Sequence, residues 1–143
     1  MLVSQILREK GRDVVTVAAE APLGEAVRML ARHRIGALVV KGKGGAVAGV
    51  LSERDIVRAL AESGTDALAK PLSSVMTRKV VTCAESDTVD DLMETMTHGR
   101  FRHVPVVEEG HLVGIVSIGD VVKTRIEETL RESQALKDYI AAG

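Results

Sequence analysis

Two short segments place a hydroxyl and a carboxylate at a spacing that can do chemistry. Ser52-Glu53-Arg54-Asp55 follows Gly49-Val50-Leu51, and Ser117-Ile118-Gly119-Asp120 follows Gly114-Ile115-Val116. Where a strand turns into a helix, the first helical amides are free and can hold a phosphate, and an adjacent hydroxyl adds a donor. An aspartate in the first turn can accept paired, charge-assisted hydrogen bonds from a cis-diol such as the ribose hydroxyls. Gly49 and Gly114 permit close backbone approach. A single copy needs no ligand. Ser-x-x-acidic is a capping-box pattern, and a first-turn carboxylate suits the positive end of the helix dipole.

What capping leaves unexplained is the return of the motif in register with its surroundings. VVT at 14–16 recurs at 80–82, and HRIGALVV (33–40) aligns at the same offset with GRFRHVPV (99–106). GVLSERD and GIVSIGD recur with one residue of slip, which falls in the turn-rich KGKGG connector (41–45). The chain is a tandem duplication. In each unit a short β-branched run is followed by helical periodicity and then by two apolar strands and a second helix. The first unit reads VVTV, a helix opening near Pro22, GALVV, AVAGVLS with a bend at Gly49, and a helix over 53–61. The second reads VVTC, a helix over 89–97, HVPVV, LVGIVS and a helix after Asp120.

Each unit is therefore β-α-β-β-α, with 64–70 as the connector. A unit of about 60 residues buries little core alone, so the two sheets are expected to pack face to face with pseudo-twofold symmetry around a shared cleft. The expected fold is α+β: repeat 1 over 1–66, repeat 2 over 67–125, and a helical extension over 126–143. Ile126, Leu130, Leu136 and Ile140 form a narrow apolar stripe on that extension, which suits either its own domain or a second subunit.

Composition bounds the function. A formal net charge of −1 lacks the positive surplus that nucleic-acid or anionic-membrane binding needs. One Phe, one Tyr and no Trp leave almost no stacking platform for single strands. The single Cys83 excludes an intramolecular disulfide and any multi-thiolate metal site. No signal peptide or 20-residue apolar run is legible, so the expected location is cytoplasmic. Gly42-x-Gly44-Gly45 breaks the dinucleotide-loop spacing at Val47 and precedes no helix. Asp87, Asp90 and Asp91 suit a helix start, Met93 and Met96 suit a core, and Cys83 has no histidine base at a useful spacing. His98 and His111 read as surface residues.

The paired units, the two motifs, the IGALVV and RHVPVV strands and the preceding VVT runs together resemble a tandem cystathionine-β-synthase (CBS) domain pair, or Bateman module, of the stand-alone type. The likeness extends over about residues 1–125. It implies that an adenine nucleotide (AMP, ADP, ATP, and in some members NAD or S-adenosylmethionine) binds between the units as a regulatory ligand, with no catalytic cofactor. Asp55 and Asp120 would hold the ribose diol, and Ser52 and Ser117 would contact ribose or phosphate. Thr16 in the first unit, with Val80 and Thr82 in the second, match nucleotide-contacting positions. The adenine would lie near Ala37 and Leu38, and near Val104 and Pro105. Arg100, Arg102 and His103 supply a basic cluster where the first copy has Arg34, Gly36 and Ala37. Arg102 is thus expected to face phosphate at the second motif, with Arg54 serving the first. The implied protein is a non-enzymatic sensor acting on an unidentified protein target, with a homodimer as its assembly. The alternative is a ligand-independent dimerisation or interaction module.

Overall fold

The computed structural model of the chain describes residues 1–142. It shows the expected α+β architecture, with two helix-flanked sheets and a long last helix. In the first half, β1 (Thr16–Ala18) pairs parallel with β2 (Ala37–Lys41), which pairs antiparallel with β3 (Val47–Ser52). The parallel step requires a crossover, and α2 (Leu23–His33) supplies it. Pro22 caps α2 from the extended region rather than entering its first turn. β2 is the central strand, and its Ala37-Leu38-Val39-Val40 run is buried throughout. α3 (Glu53–Ser63) follows β3 directly.

In the second half, α4 (Val89–Gly99) leads to an antiparallel pair, β4 (His103–Glu108) and β5 (His111–Ser117). The duplication reaches the backbone. α2 and α4 end at Arg34 and Arg100, both left-handed (φ 54° and 55°), a conformation few non-glycine residues adopt. The register skips Ala48 on β3 and Val113 on β5, so a bulge precedes each motif glycine.

One expected strand is lost. VVTC makes only an isolated parallel bridge between Cys83 and Val106. In the first half the Val39 amide donates to Val15 O (3.4 Å), while the aligned position on β4 is Pro105, which has no N–H to offer Val81. The ladder stops there, and residues 80–82 are left outside the sheet.

Helix α1 (Val3–Lys10) lies outside the β-α-β-β-α pattern, and its Val3-Ser4-Gln5-Ile6-Leu7 run parallels Leu72-Ser73-Ser74-Val75-Met76 of the other lead-in. Its Val3, Ile6 and Leu7 are buried with Val89, Leu92, Val104 and Val116 of the second half. Conversely, Leu72 and Met76, which lead into the second half, are buried with Leu23, Leu38 and Leu51 of the first. Paired bridges, Leu2 to Thr88 and Pro22 to Pro71, mark the same exchange. Each half's lead-in thus crosses to the opposite core, and each fully buried Val or Leu adds about 1.5–3 kcal/mol to the joining of the halves.

The halves face each other where β2 and β4 begin. A Cβ at Gly36 would lie 3.4 Å from His103 Cε1, so aligned regions of the two repeats meet near the pseudo-twofold axis. α5 (Ile118–Ala142) buries only Val121 and Thr124; Val122, Ile126, Leu130, Leu136 and Ile140 are exposed. Its apolar stripe does not pack on its own domain. Among the described residues no helix is long and apolar enough to cross a membrane.

Candidate functional site

Ser52 ends β3 in the extended region and caps α3. Its Oγ accepts the Asp55 amide at 3.4 Å, and Asp55 Oδ2 accepts the Ser52 amide at 2.9 Å. The capping box is therefore real. It does not exhaust the carboxylate. Asp55 is only 4% exposed, its Oδ1 accepts the Thr77 hydroxyl at 3.1 Å, and Arg58 Nη1 lies 3.5 Å away. A carboxylate accepts at about four lone-pair positions, so the neutral Thr77 hydroxyl is a bond that a sugar hydroxyl can exchange with.

Asp55 lines a cleft of about 300 Å³ between the halves. The first half contributes Gly36, Val50, Ser52, Glu53, Arg54, Asp55 and Arg58; the segment leading into the second half contributes Thr77 and Lys79 to Val81; the second half contributes Arg100 to His103. Five cationic side chains (Arg54, Arg58, Lys79, Arg100, Arg102) thus stand against two carboxylates (Glu53, Asp55), in a chain whose formal net charge is −1. Arg54 Nη1 donates to Arg100 O at 3.2 Å, tying the halves across the cleft. The Phe101 ring fills the space that a side chain at Gly99 would need, and Phe101, Val50, Val80 and Val81 give the cleft an apolar side.

His103 is held below its ordinary pKa of 6.5. Burial is the chief cause, with the positive charges of Lys10 and Arg102 adding to it and Glu53 and Asp120 opposing. It is a neutral imidazole at the seam of the halves. Cys83 is pushed up to about 12 by burial and by the nearby charges of Asp87 and Glu108, which keeps it a protonated, inert thiol.

Of the residues singled out from the sequence, Ser52, Arg54, Asp55, Val80, Arg100, Arg102 and His103 line this one cleft. Arg102 lies beside the second motif, its carbonyl accepting the Ile118 amide at 2.8 Å, and it also lines this cleft with Ser52 and Asp55. Thr16, Ala37, Leu38, Thr82, Val104, Pro105, Ser117 and Asp120 are not among the lining residues. Leu38 and Val104 are fully buried in the separate cores, so the apolar wall comes from other residues.

The Ser117–Asp120 motif folds as its counterpart does. Asp120 Oδ2 accepts the Ser117 amide at 2.9 Å, and Ser117 Oγ accepts the Asp120 amide at 3.2 Å. Here, however, the carboxylate meets Lys10 Nζ at 2.7 Å, and the same ammonium donates to Ile115 O at 2.9 Å. Burial would raise the Asp120 pKa, but the hydrogen bonds and charge of Lys10 and the Ser117 bonds outweigh it, so the carboxyl sits below its usual range.

Sequence reasoning missed Thr77, Lys79, Arg58 and Phe101 as cleft residues, and Lys10 as a partner of Asp120. Arg58 follows Asp55 by three residues on one helix face and was findable. Thr77 and Lys79 lie in the lead-in segment, which carries no motif.

Comparison with known proteins decides the lineage. The CBS domain family matches residues 3–62 and 72–127, nearly the whole chain. The chain belongs to the CBS domain family. A crystal structure of a CBS-domain containing protein from Agrobacterium tumefaciens is similar to this CBS pair at a TM-score of 0.84 and 52% identity, covering 87% of this chain and 92% of that one. A CBS domain pair solved with 5′-methylthioadenosine and S-adenosyl-L-methionine has a TM-score of 0.80 and 29% identity, covering 90% and 98%. A CBS domain protein of Pyrobaculum aerophilum complexed with AMP has a TM-score of 0.75 and 32% identity, covering 84% and 89%.

Proposed function

We propose that this CBS pair is a non-enzymatic regulatory module that takes a phosphate-bearing adenine nucleotide into the cleft between its halves and presents a changed conformation to a protein partner. One observation carries the reading: a buried first-turn carboxylate, Asp55, shares a 300 Å³ cleft with five cationic side chains. The carboxylate suits a ribose diol, and the cations suit phosphate. That related structures hold AMP, or methylthioadenosine with S-adenosylmethionine, supports the adenosine part. The charge balance chooses among those ligands. A sulfonium among five cations is repelled, whereas AMP, ADP, ATP or NAD neutralises them. By linkage, the nucleotide shifts a partner's affinity only by its own differential affinity for the two conformations.

Thermal shift and isothermal titration test this directly. ADP and ATP should raise the melting temperature in a concentration-dependent way and S-adenosylmethionine should not. Arg102→Ala should weaken ATP at least tenfold while changing adenosine little. No response to any nucleotide, or equal losses for ATP and adenosine, overturns the reading.

A second reading rests on α5, whose exposed stripe suits a homodimer formed without ligand. The two readings are compatible. A dimer indifferent to nucleotide, in a protein that binds none, leaves the interaction module alone standing.

A further inference from the structure

The two motif aspartates are aligned in sequence but differ in what reaches them. Leu7 and Met76 occupy matching places in the two lead-ins. A Cβ on Gly114 would lie 2.7 Å from Leu7 Cδ2, and one on Gly49 would lie 2.7 Å from Met76 Sδ. Beyond these anchors the lead-ins diverge in length. Six residues separate Leu7 from Val14, and three separate Met76 from Val80. The short lead-in brings a neutral hydroxyl, Thr77, to Asp55. The longer one continues as helix to Lys10 and brings an ammonium to Asp120, anchored a second time on Ile115 O.

We propose that Lys10 is a built-in occupant of the second motif, so that the protein takes one nucleotide per chain, in the Ser52–Asp55 cleft, and α1 sets that stoichiometry. The inference rests on the nucleotide reading of the cleft. A ribose hydroxyl can exchange with the hydroxyl of Thr77 at little cost, since one neutral donor replaces another. At Asp120 it must displace a charged donor and leave that ammonium without its carboxylate, which is the costlier exchange. Displacement of Lys10 also disturbs α1, whose Val3, Ile6 and Leu7 belong to the second-half core. The second motif is thereby turned from a site into a strut that fastens α1 across the halves.

Isothermal titration with ATP on the full chain separates the outcomes. The wild type should saturate at one ATP per chain. Lys10→Ala, which keeps a good helix former at the end of α1, should add a second binding event. Lys10→Ala with Asp120→Asn should lose that event and keep the first. Two events in the wild type, or a single event in Lys10→Ala, overturns the proposal and leaves the nucleotide reading intact. No event in any variant overturns the nucleotide reading, and this proposal with it. Independently of ligand, a double-mutant cycle of Lys10→Ala and Asp120→Asn in urea unfolding should give favourable coupling; additivity overturns the strut.

Discussion

Asp55 and Asp120 have the same residue type, cap the same kind of helix and follow the same glycine, yet only one lines the cleft. The two carboxylates differ in what reaches them: the Thr77 hydroxyl at 3.1 Å with Arg58 Nη1 at 3.5 Å for Asp55, and the Lys10 ammonium at 2.7 Å for Asp120. His103, between them, reports on the seam. Its folded pKa lies below 6.5, so the unfolded chain takes up a proton that the folded chain resists. Its contribution to stability is therefore full above the unfolded pKa and is lost as pH falls from there toward the folded value. Asp120, depressed in the fold, contributes throughout that window and loses its contribution only in acid, below the ordinary carboxylate range. The melting temperature of the wild type should drop more steeply between pH 7.5 and about 5.5 than that of His103→Asn. Parallel profiles would mean that His103 is not shielded at the seam.

At the scale of elements, each motif glycine marks where the opposite lead-in crosses its strand. A Cβ at Gly49 would stand 2.7 Å from both Met76 Sδ and Thr77 O, whereas the three atoms nearest one at Gly114 are Leu7 side-chain carbons, the first at 2.7 Å. A methyl group at 49 collides with backbone that is paired to Val50 in both directions, the Val50 amide to Thr77 O at 3.0 Å and the Thr77 amide to Val50 O at 2.9 Å. Gly49→Ala should cost roughly 1–3 kcal/mol in urea unfolding, and Gly114→Ala distinctly less, because Leu7 can change rotamer. Equal costs would mean that the lead-ins are equally rigid. Strand formation shows the same dependence on detail. The helices over 53–61 and 89–97 were legible from period and caps, and the structure extends each by two residues, to Ser63 and Gly99. The fate of VVTC was not legible, because its partner Pro105 withholds one amide and propensity within VVTC carries no trace of that.

For the whole molecule, the two cores are separate and are stitched by swapped lead-ins, which makes the intervening cleft a seam and not a cavity inside one core. An exposed apolar stripe runs along α5, where Ile126 is 56% and Leu130 64% exposed. The homodimer reading under the proposed function puts a second copy of the chain on this stripe. On that reading the wild type should sediment as a dimer and Ile126→Glu with Leu130→Glu as a monomer, with the fold kept within about 0.5 kcal/mol per exposed site. An unchanged mass would place the dimer contact elsewhere, or remove it.

The sequence by itself determined the duplication, the β-α-β-β-α order of the first half, the α+β class and the capped motifs, because these depend on periodicity and on residues a few positions apart. It also marked seven side chains that line the cleft, since a repeated motif and a basic cluster are local signals. Tertiary structure alone decided that Arg102 stands with Asp55, that Thr77 and Lys79 join them, and that Lys10 reaches Asp120. Those pairings arise from lead-ins that cross between halves, and a contact spanning 110 positions leaves no periodic trace in the chain. Repetition specified two motifs with unequal basic neighbours, and only the folded lead-ins decided that Thr77 reaches one aspartate and Lys10 the other.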